Sequence, residues 1–358
     1  MRLQVNGKDL KDAVTFVGGI IPRSQYQRTF PYQGIVLSTK DGKLRIQATN
    51  LGTLATRCIP AEIEDPEGVL VLSVTPFRNY LKQAGKKANT LSLDGEMWSH
   101  GNGQIKVDVL CTTWDELPNF SKFGPSNGER LTTNLDDIPW KKIERFARRG
   151  GEYDTPNLQC VYLEFVSGMP RLIAADGFRL AIYGPHGDAT VSGLVPREAN
   201  NLIMKLKGQA YIGMDRERMR IVTSDSAVET VLLEGRYPDV WCVVPHAEEM
   251  YTLAIDNKAF SEAIETLKGL DTEGNEYIKM TLHYDLTILE LMGNEESQII
   301  LDCDWQGEEA YKYAFNGKYM LDILALAGDK ILFPEANSNP LLVEHENVTM
   351  VLMPMHIK

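Results

Sequence analysis

The feature that most constrains this chain is a helix pattern that occurs three times along its 358 residues. Apolar residues at relative positions 0, 3, 4 and 7 form one face of a helix. The first and third examples are Leu10, Ala13, Val14, Val17 and Phe260, Ala263, Ile264, Leu267. The middle example, which Glu144 interrupts, is Trp140, Ile143, Ala147. This recurrence predicts internal repeats.

A second helix pattern with the same spacing follows each of the first. Its three examples are Phe77, Tyr80, Leu81, Ala84, then Ala199, Leu202, Ile203, Leu206, then Met320, Ile323, Leu324, Ala327. Pro76 and Pro196 lie near the starts of two of these helices, where a proline removes no helical hydrogen bond. We therefore predict three copies of one unit, with two helices in each copy.

Strand-like segments repeat as well. The segment IQATNLGTLA (46–55) aligns without gaps with LIAADGFRLA (172–181). Alternating and β-branched segments, which predict antiparallel strands, are GVLVLSV, QIKVDVL, MRIVTS, AVETVLL, YIKMTL and VTMVLM. We predict an α+β fold of three tandem, similar domains at residues 1–125, 126–249 and 250–358. Each domain carries two helices on antiparallel sheets.

The sequence also indicates the compartment in which the protein works. The sequence has no run of about 18 apolar residues that would span a membrane, and no apolar secretory signal follows Met1. Its five cysteines occur singly, without the paired spacing of a zinc site or a redox dithiol; they are Cys58, Cys111, Cys160, Cys242 and Cys303. We therefore expect a cytoplasmic protein with reduced thiols, no bound metal and no membrane association.

Catalytic motifs are missing from the sequence. It has no phosphate-binding loop ending in Lys-Ser or Lys-Thr, no G-x-S-x-G, no H-E-x-x-H and no dinucleotide-binding fingerprint. Asp302 and Asp304 put two carboxylates on one side of a strand around Cys303, which is the minimum for a metal site. No further acidic ligand follows at a recognisable spacing. These motifs therefore predict no catalytic site and no cofactor.

Charge is unevenly distributed along the chain. The formal net charge of -12 argues against a protein that coats nucleic acid with its whole surface. Two helix segments are nevertheless basic, and their cations are Lys141, Lys142, Arg145, Arg148, Arg149 and Arg78, Lys82, Lys86, Lys87. Two interpretations stay open, a lining that meets DNA phosphates and solvated helix faces. Glu262 and Glu265 make the corresponding helix of the third repeat acidic, which weakens the first interpretation.

Four motifs together resemble one family. They are AADGFRLA in the second repeat, EGRYPDV near its end, FNGKYMLDIL at the last helix and the terminal VLMPM. In this order they are similar to the bacterial sliding clamp, the beta subunit of DNA polymerase III, and the resemblance covers essentially the whole chain. It implies a head-to-tail homodimer that closes into a ring of six domains. Helices would line the hole and sheets would form the outer wall.

The resemblance implies a mobile tether that catalyses nothing. Such a ring raises the effective concentration of polymerase at the primer terminus, because rebinding becomes intramolecular. The expected partners are double-stranded DNA, encircled without sequence preference, a DNA polymerase, a clamp-loader ATPase and other proteins with a clamp-binding motif. Two alternatives stay open. One is a diverged clamp for a specialised viral or plasmid polymerase, and the other is a repeat-built enzyme with a site between its units.

Partners of this family insert a short peptide with apolar anchors into a pocket walled partly by the C-terminal residues. Carried over by motif, the pocket residues are Leu158, Ala175, Gly177, Phe178, Arg179, Leu180, Pro238, Cys242, Val243, Val351, Leu352, Met353, Pro354, Met355, His356 and Ile357. Methionines suit this use because their side chains adapt to different peptides. Phe178, Cys242 and His356 replace a His and two Arg that are common in the family. We therefore expect a preference for apolar anchors and away from acidic flanks.

Contacts with DNA and between subunits are also expected. The residues expected at DNA are Arg23 or Arg28 in the loop after the first helix, Arg148, Arg149, Arg78 and Lys82. The family has an arginine in that loop, whereas the others are chosen by position and charge. At the ring joint, Val107 of one chain is expected to face Ile264 and Leu267 of the other, and twofold symmetry repeats the contact.

Overall fold

The structure is a computed structural model, which describes residues 1–21, 34–66, 68–84, 90–100, 103–106, 109–111, 124–150, 155–270 and 276–355. It is an α+β protein with antiparallel sheets, as the sequence predicts. Within the described ranges its α-helices are α1 (Gly7–Val17), α2 (Val74–Ala84), α3 (Trp140–Glu144), α4 (Arg197–Ile203), α5 (Asn257–Leu270) and α6 (Gly317–Leu324). Short 3-10 helices lie at Leu135–Asp137, Pro156–Gln159, Trp241–Val243 and Ala247–Glu249.

The strands follow in chain order. Those of the first half are β1 (Arg2–Asn6), β2 (Gly34–Lys40), β3 (Lys43–Thr49), β4 (Thr53–Asp65), β5 (Val69–Ser73), β6 (Thr90–Asp94), β7 (Met97–His100), β8 (Gly103–Lys106), β9 (Val109–Cys111), β10 (Glu129–Asn134), β11 (Val161–Val166), β12 (Met169–Ala175) and β13 (Arg179–Tyr183). Those of the second half are β14 (Val191–Val195), β15 (Gln209–Met214), β16 (Arg218–Val222), β17 (Ser226–Val231), β18 (Met250–Ala254), β19 (Tyr277–Leu282), β20 (Leu286–Leu291), β21 (Asn294–Asp302), β22 (Asp304–Trp305), β23 (Tyr311–Asn316), β24 (Lys330–Pro334), β25 (Leu341–His345) and β26 (Val348–Leu352). Every segment predicted as a strand contributes to one, so those predictions are confirmed.

One compact unit consists of residues Met1–Ile138 and Thr190–Glu234. Its sheet has the order β10-β15-β16-β17-β4-β1-β6-β7-β8, and β2, β3, β5 and β9 extend it through β4. Helix α1 packs on β4 and against α2. Leu10, Ala13 and Val14 are fully buried there, which confirms the predicted apolar face of the first helix.

The other compact unit consists of residues Pro139–Ala189 and Gly235–Lys358. One of its sheets has the order β11-β12-β13-β26-β25-β24-β18-β22, and a second has the order β21-β20-β19-β23. Helices α5 and α6 pack together, and Phe260, Ile264 and Ile323 are fully buried. Each compact unit takes part of the predicted middle domain, residues 126–249. The three-domain division therefore stays a prediction.

Polar side chains fix where the helices begin. The Asn6 side chain accepts hydrogen bonds from the amides of Lys8 and Asp9 at the start of α1. Asp256 accepts from the Ala259 amide at 2.7 Å beside α5, and Asn316 accepts from the Tyr319 amide at 3.1 Å in α6. Such caps satisfy amides that have no partner within the helix.

The middle helix differs from its prediction. The sequence pattern continues to Ala147, but α3 ends at Glu144. Arg148 donates its amide to the Leu158 carbonyl at 2.8 Å, which takes the chain out of the helical path. The basic side chains that the sequence assigns to one helix face therefore lie partly on the segment that follows α3.

Two hairpins show the internal repeat at atomic detail. Ala48 pairs with Ala55 in β3–β4, and Ala174 pairs with Ala181 in β12–β13, as the ungapped alignment of the two segments requires. The Asn50 side chain accepts from the second and third amides after it, at 3.2 and 2.7 Å. Asp176 does the same at 2.9 and 3.1 Å. The two turns therefore have the same hydrogen-bonding pattern.

The backbone of the first hairpin is strained at Leu51, and a substitution there tests this. Leu51 has a φ of 78°, whereas the corresponding residue of the second hairpin, Gly177, has a φ of 95°. A side chain in this left-handed region costs about 1–2 kcal/mol, and Leu51 is 52% exposed, so it contributes little packing. We expect Leu51→Gly to raise the free energy of unfolding by about 1 kcal/mol, after the entropy cost of glycine is subtracted. Urea unfolding measures this, and a loss of stability would contradict it.

No helix within the described ranges combines the length and the apolar character that crossing a membrane requires.

Candidate functional site

The apolar end of the chain is fixed against the second hairpin. Strand β26 pairs with β13, with Leu352 opposite Arg179. Beyond the strand, the Met353 amide donates to the Phe178 carbonyl at 2.8 Å, and the Met355 amide donates to the Ala314 carbonyl at 2.8 Å. The tail thus continues the sheet and brings Met353 beside the hairpin turn.

A small apolar cavity lies where the tail meets this turn. Its volume is about 180 Å³. The residues that line it are Leu158, Ala175, Gly177, Phe178, Arg179, Leu180, Pro238, Asp239, Val240, Val243, Val351 and Met353. Phe178 is 56% exposed and Met353 is 39% exposed, so large apolar side chains are open to solvent at its mouth. Such exposure next to a cavity is typical of a binding site for an apolar group.

Ten of the sixteen residues expected in the peptide pocket line this cavity. Leu352 is fully buried beneath it, and Cys242 lines a neighbouring cavity instead. Pro354 and Met355 are half-buried, and His356 and Ile357 lie outside the described residues. Sequence reasoning missed Asp239 and Val240, although both stand between two residues that it named. Their position within that short segment was the available signal.

A buried arginine holds the turn under the cavity. The Arg179 side chain is 4% exposed, and its Nε donates to Asp176 at 2.9 Å. Its terminal nitrogens donate to the Asp322 carboxylate and to the Arg145 carbonyl, each at 2.6 Å. The guanidinium also lies 4.2 Å from the centre of the Tyr319 ring. Because its bonds reach three separate segments, Arg179 is better described as a structural residue than as a ligand-binding one.

A second buried ion pair contacts the short helix that supplies the lining residue Val243. Arg171 Nε donates to Glu164 at 2.6 Å, and the Arg171 side chain is 4% exposed. The same guanidinium donates to the carbonyls of Pro185 and Gly187 and lies 5.4 Å from the centre of the Trp241 ring. Trp241 opens the 3-10 helix that also contains Val243. The pair thus helps to hold the helix that carries Val243.

A second cavity adjoins the apolar one through Phe178 and Arg179. Its volume is about 660 Å³, and its basic lining residues are Arg145, Arg148, Arg149, Arg179 and Lys318. Its acidic lining residues are Asp176 and Asp322. Phe178 stacks on Tyr319 between the two cavities, with ring centres 6.4 Å apart. Arg148 and Arg149, which the sequence assigns to DNA, therefore lie next to the apolar cavity.

A third cavity adjoins the apolar one on the side of Val243 and Met353. Its volume is about 770 Å³. It has three exposed carboxylates, on Glu248, Glu249 and Glu335. The small apolar cavity therefore adjoins both a basic cavity and an acidic one.

The structure corrects the expected subunit contact. Ile264 and Leu267 are fully buried in the packing of α5, so neither side chain is available to a second chain. At the end of the same helix, Leu270 is 53% exposed. The helical spacing of Ile264 and Leu267 is that of the core face of α5. This spacing alone does not show whether a helix face packs in the core or lies at the surface. Val107 lies outside the described residues.

The residues expected at DNA are found in different settings. Arg23 and Arg28 lie outside the described residues. Arg78 and Lys82 are both on α2, where Lys82 is exposed and Arg78 is half-buried. The Arg78 guanidinium passes close to Gly18, where a β-carbon would lie 2.5 Å from its terminal nitrogen.

The structure also bears on metal binding. Within the described ranges there is no group of three or more His, Cys, Asp or Glu side chains arranged to hold a metal ion. Burial of the Cys303 thiol, with Asp285, Asp304 and Asp302 nearby, raises its pKa to about 11. A thiol with this pKa is a poor metal ligand at neutral pH, because metals bind the thiolate.

Comparisons with known proteins agree with one another. No family model matches the chain. A beta sliding clamp of Pseudomonas aeruginosa is 26% identical and one of Pseudomonas putida is 22% identical, and each alignment covers 100% of both chains. The DNA polymerase III beta subunit of Thermotoga maritima has a TM-score of 0.82 at 20% identity over 100% of both chains. A Helicobacter pylori beta clamp bound to a DNA ligase peptide has a TM-score of 0.84 at 18% identity over 100% of both chains.

Proposed function

We infer that this chain belongs to the bacterial beta sliding clamp family and is a processivity factor rather than an enzyme. Sequence similarity and fold similarity both extend over the whole chain. The two hairpins have the same strand pairing and the same turn, which supports the internal repeat that this family requires. A clamp supplies no chemistry of its own and acts by keeping other proteins on DNA.

We propose that two copies of the chain close into a ring around double-stranded DNA. Retention is then topological, so the contacts with phosphates can stay weak and the acidic net charge is no obstacle to sliding. Arg78 and Lys82 on α2 are the described basic residues proposed to meet the phosphates. A clamp-loader ATPase would open the ring, and the replicative polymerase would bind to the closed ring. We propose that the protein acts on bacterial DNA in the cytoplasm.

The apolar cavity beside Met353 is the observation that carries the proposal. It is open at Phe178 and Met353, and its floor is held rigidly by Arg179. We propose that it takes the apolar anchor of a peptide from a partner protein. The Helicobacter pylori clamp with its DNA ligase peptide supports this use, because it has the same fold.

The subunit joint is proposed at the exposed end of α5. Interfaces between subunits have apolar cores, and Leu270 is the exposed apolar residue of that helix. We expect Leu270→Asp to shift a dimer toward the monomer, whereas Lys258→Asp on the exposed face of the same helix leaves it unchanged.

Solution mass tests the ring. Light scattering after size exclusion, over a dilution series, is expected to give twice the 40.2 kDa chain mass for the unmodified protein. Leu270→Asp is expected to lower the mass toward one chain at the dilute end. A single-chain mass for the unmodified protein at every concentration would contradict the proposed ring.

A further inference from the structure

We propose that a polar cavity on the sheet of the unit Met1–Ile138 and Thr190–Glu234 binds a small phosphate ester with hydroxyl groups, such as a nucleoside diphosphate. This sheet cavity is lined by β3, β4, β16 and β17 and by the turns that join β2 to β3 and β16 to β17. Its volume is about 590 Å³, within the range of small-molecule sites. It shares no residue with the apolar cavity beside Met353.

Short side chains in neighbouring strands form the floor of the sheet cavity. Across the sheet, Gln47 lies opposite Thr56, Thr56 opposite Ala227, and Ala227 opposite Val222. Directly opposite residues share one face of a sheet, so these four form a row. Cys58 stands two residues after Thr56 on the same face, and Thr56, Cys58 and Ala227 are half-buried. Long charged side chains surround these short ones, which leaves a depression.

The sheet cavity lies on the face that is turned away from α1. Arg57 stands between Thr56 and Cys58 in β4, and its guanidinium lies 5.3 Å from the centre of the Phe16 ring of α1. Successive side chains of a strand point to opposite faces, so Thr56 and Cys58 point away from that helix. Helix α2, whose cations are proposed to meet DNA, packs against α1. The sheet cavity is therefore not on the face of those cations.

Three cations of the sheet cavity are not neutralised within the described part of the chain. Lys40 and Lys43 are exposed, Arg45 is half-buried, and none of the three forms an ion pair with a described residue. Arg45 Nε donates to the Ser38 hydroxyl at 3.1 Å, which leaves its terminal nitrogens for other acceptors. Asp41, an exposed residue of the same turn, is the carboxylate that opposes them.

The other carboxylates of the lining already have cationic partners. Glu229 is buried and pairs with Arg220. Asp225 pairs with Arg57 at 3.6 Å. Burial raises the pKa of the Cys58 thiol, and the three unpaired cations lower it. These cations therefore act on the floor of the cavity, where an anion would bind.

A buried amide at the floor offers a hydrogen-bond acceptor. Gln47 is 4% exposed, and its Nε2 donates to the Thr56 hydroxyl at 3.1 Å. Its Oε1 has no hydrogen-bond partner among the described residues. A buried acceptor without a partner costs free energy, so the site favours a ligand that brings a donor. Thr223 and Ser224 add hydroxyl groups to the lining.

These groups fit a phosphate ester better than an acidic segment of a partner protein. Arginine and lysine bind phosphate oxygens through charge-assisted hydrogen bonds, and a sugar hydroxyl supplies the donor that Gln47 lacks. Interfaces between proteins have apolar cores. The large apolar residues of this lining are not open to solvent, since Leu54 is 1% exposed and Val222 is half-buried.

Titration calorimetry with three small molecules tests the proposal on the full chain. ADP carries phosphates and a sugar, pyrophosphate carries phosphates alone, and adenosine carries the sugar without charge. We expect ADP to bind at one site per chain and pyrophosphate to bind about fivefold more weakly, because it lacks the hydroxyl that meets Gln47. Adenosine is expected not to bind. In about 1 M salt, where the screening length falls to about 3 Å, ADP binding should be lost.

Three variants assign the binding to the sheet cavity. Lys43→Glu and Arg45→Gln are each expected to weaken ADP about tenfold, since each removes a charge-assisted hydrogen bond. Gln47→Leu is expected to weaken ADP to the level of pyrophosphate and to leave pyrophosphate unchanged. Lys207→Glu, at an exposed lysine of the same unit outside the cavity, should change neither ligand. Circular dichroism checks that each variant is folded.

The proposed clamp function does not depend on these results. Absence of ADP binding to the unmodified chain would overturn the phosphate site and leave the clamp proposal standing. Equal ADP affinity in the Lys43→Glu, Arg45→Gln and unmodified chains would also overturn it, because ADP would then bind elsewhere. If a Glu-rich peptide or a short DNA duplex binds more tightly than ADP and the same variants weaken it, the cations serve a macromolecule and the proposal is wrong.

Discussion

Arg179→Ala is expected to lower the free energy of unfolding of its unit by about 3–5 kcal/mol, the usual cost of removing one member of a buried ion pair. The change leaves the Asp176 and Asp322 carboxylates without their main cation, and both are largely shielded from water. It also frees the Arg145 carbonyl. Native-state hydrogen exchange of the unit's amides measures the loss, because it reports opening of that unit separately.

An exposed arginine provides the control. Arg236 lies in the same compact unit and is exposed, and Arg236→Ala is expected to change stability by no more than about 0.5 kcal/mol. The Arg179 variant should also lose peptide affinity, since the turn that carries Phe178 is no longer fixed. A destabilisation below about 1 kcal/mol for Arg179→Ala would contradict the role given to the buried pair.

Ending the chain after Leu352 is expected to weaken binding of a neutral Leu-Phe peptide by about 30-fold or more while the fold is kept. Strand β26 ends at Leu352, so the sheet stays intact. Removing Met353 opens the cavity to water and takes away one of its apolar lining residues. Burying a methionine side chain contributes about 1.5–3 kcal/mol of favourable free energy. Fluorescence anisotropy gives the affinity, and circular dichroism checks the fold.

Two methionine variants form a matched pair for this prediction. Met353→Ala is expected to weaken the same peptide about tenfold. Met169 is 51% exposed at the start of β12 and lines none of the three adjoining cavities, so Met169→Ala should have no effect. Unchanged affinity in the truncated chain would remove the C-terminal tail from the site.

The sequence predicted features that depend on local spacing. Helix faces and strand segments follow from short-range periodicity, and the ungapped alignment anticipated the equal pairing of Ala48 with Ala55 and of Ala174 with Ala181. The family resemblance led us to expect the C-terminal residues at the cavity. In the structure, the strand that precedes the tail pairs with β13.

Features that depend on distant contacts were not predictable from the sequence. Asp322 joins Arg145 and Arg179 from a helix more than a hundred residues away in the chain, so no local pattern signals the basic cavity. Ile264 and Leu267 carry the spacing of a helix face, but that spacing does not say whether the face meets the core or another subunit. Exposure decides this, and exposure is a property of the folded chain.

Retention on circular DNA tests the sliding-clamp function most directly. The protein is loaded on nicked circular DNA with the clamp loader of its own host and ATP, separated from free protein and then treated with a nuclease that cuts the circle once. We expect that it stays on the intact circle, even in moderate salt, and leaves by the ends once the DNA is linear. Equal loss from the circle and from the linear DNA would contradict encirclement.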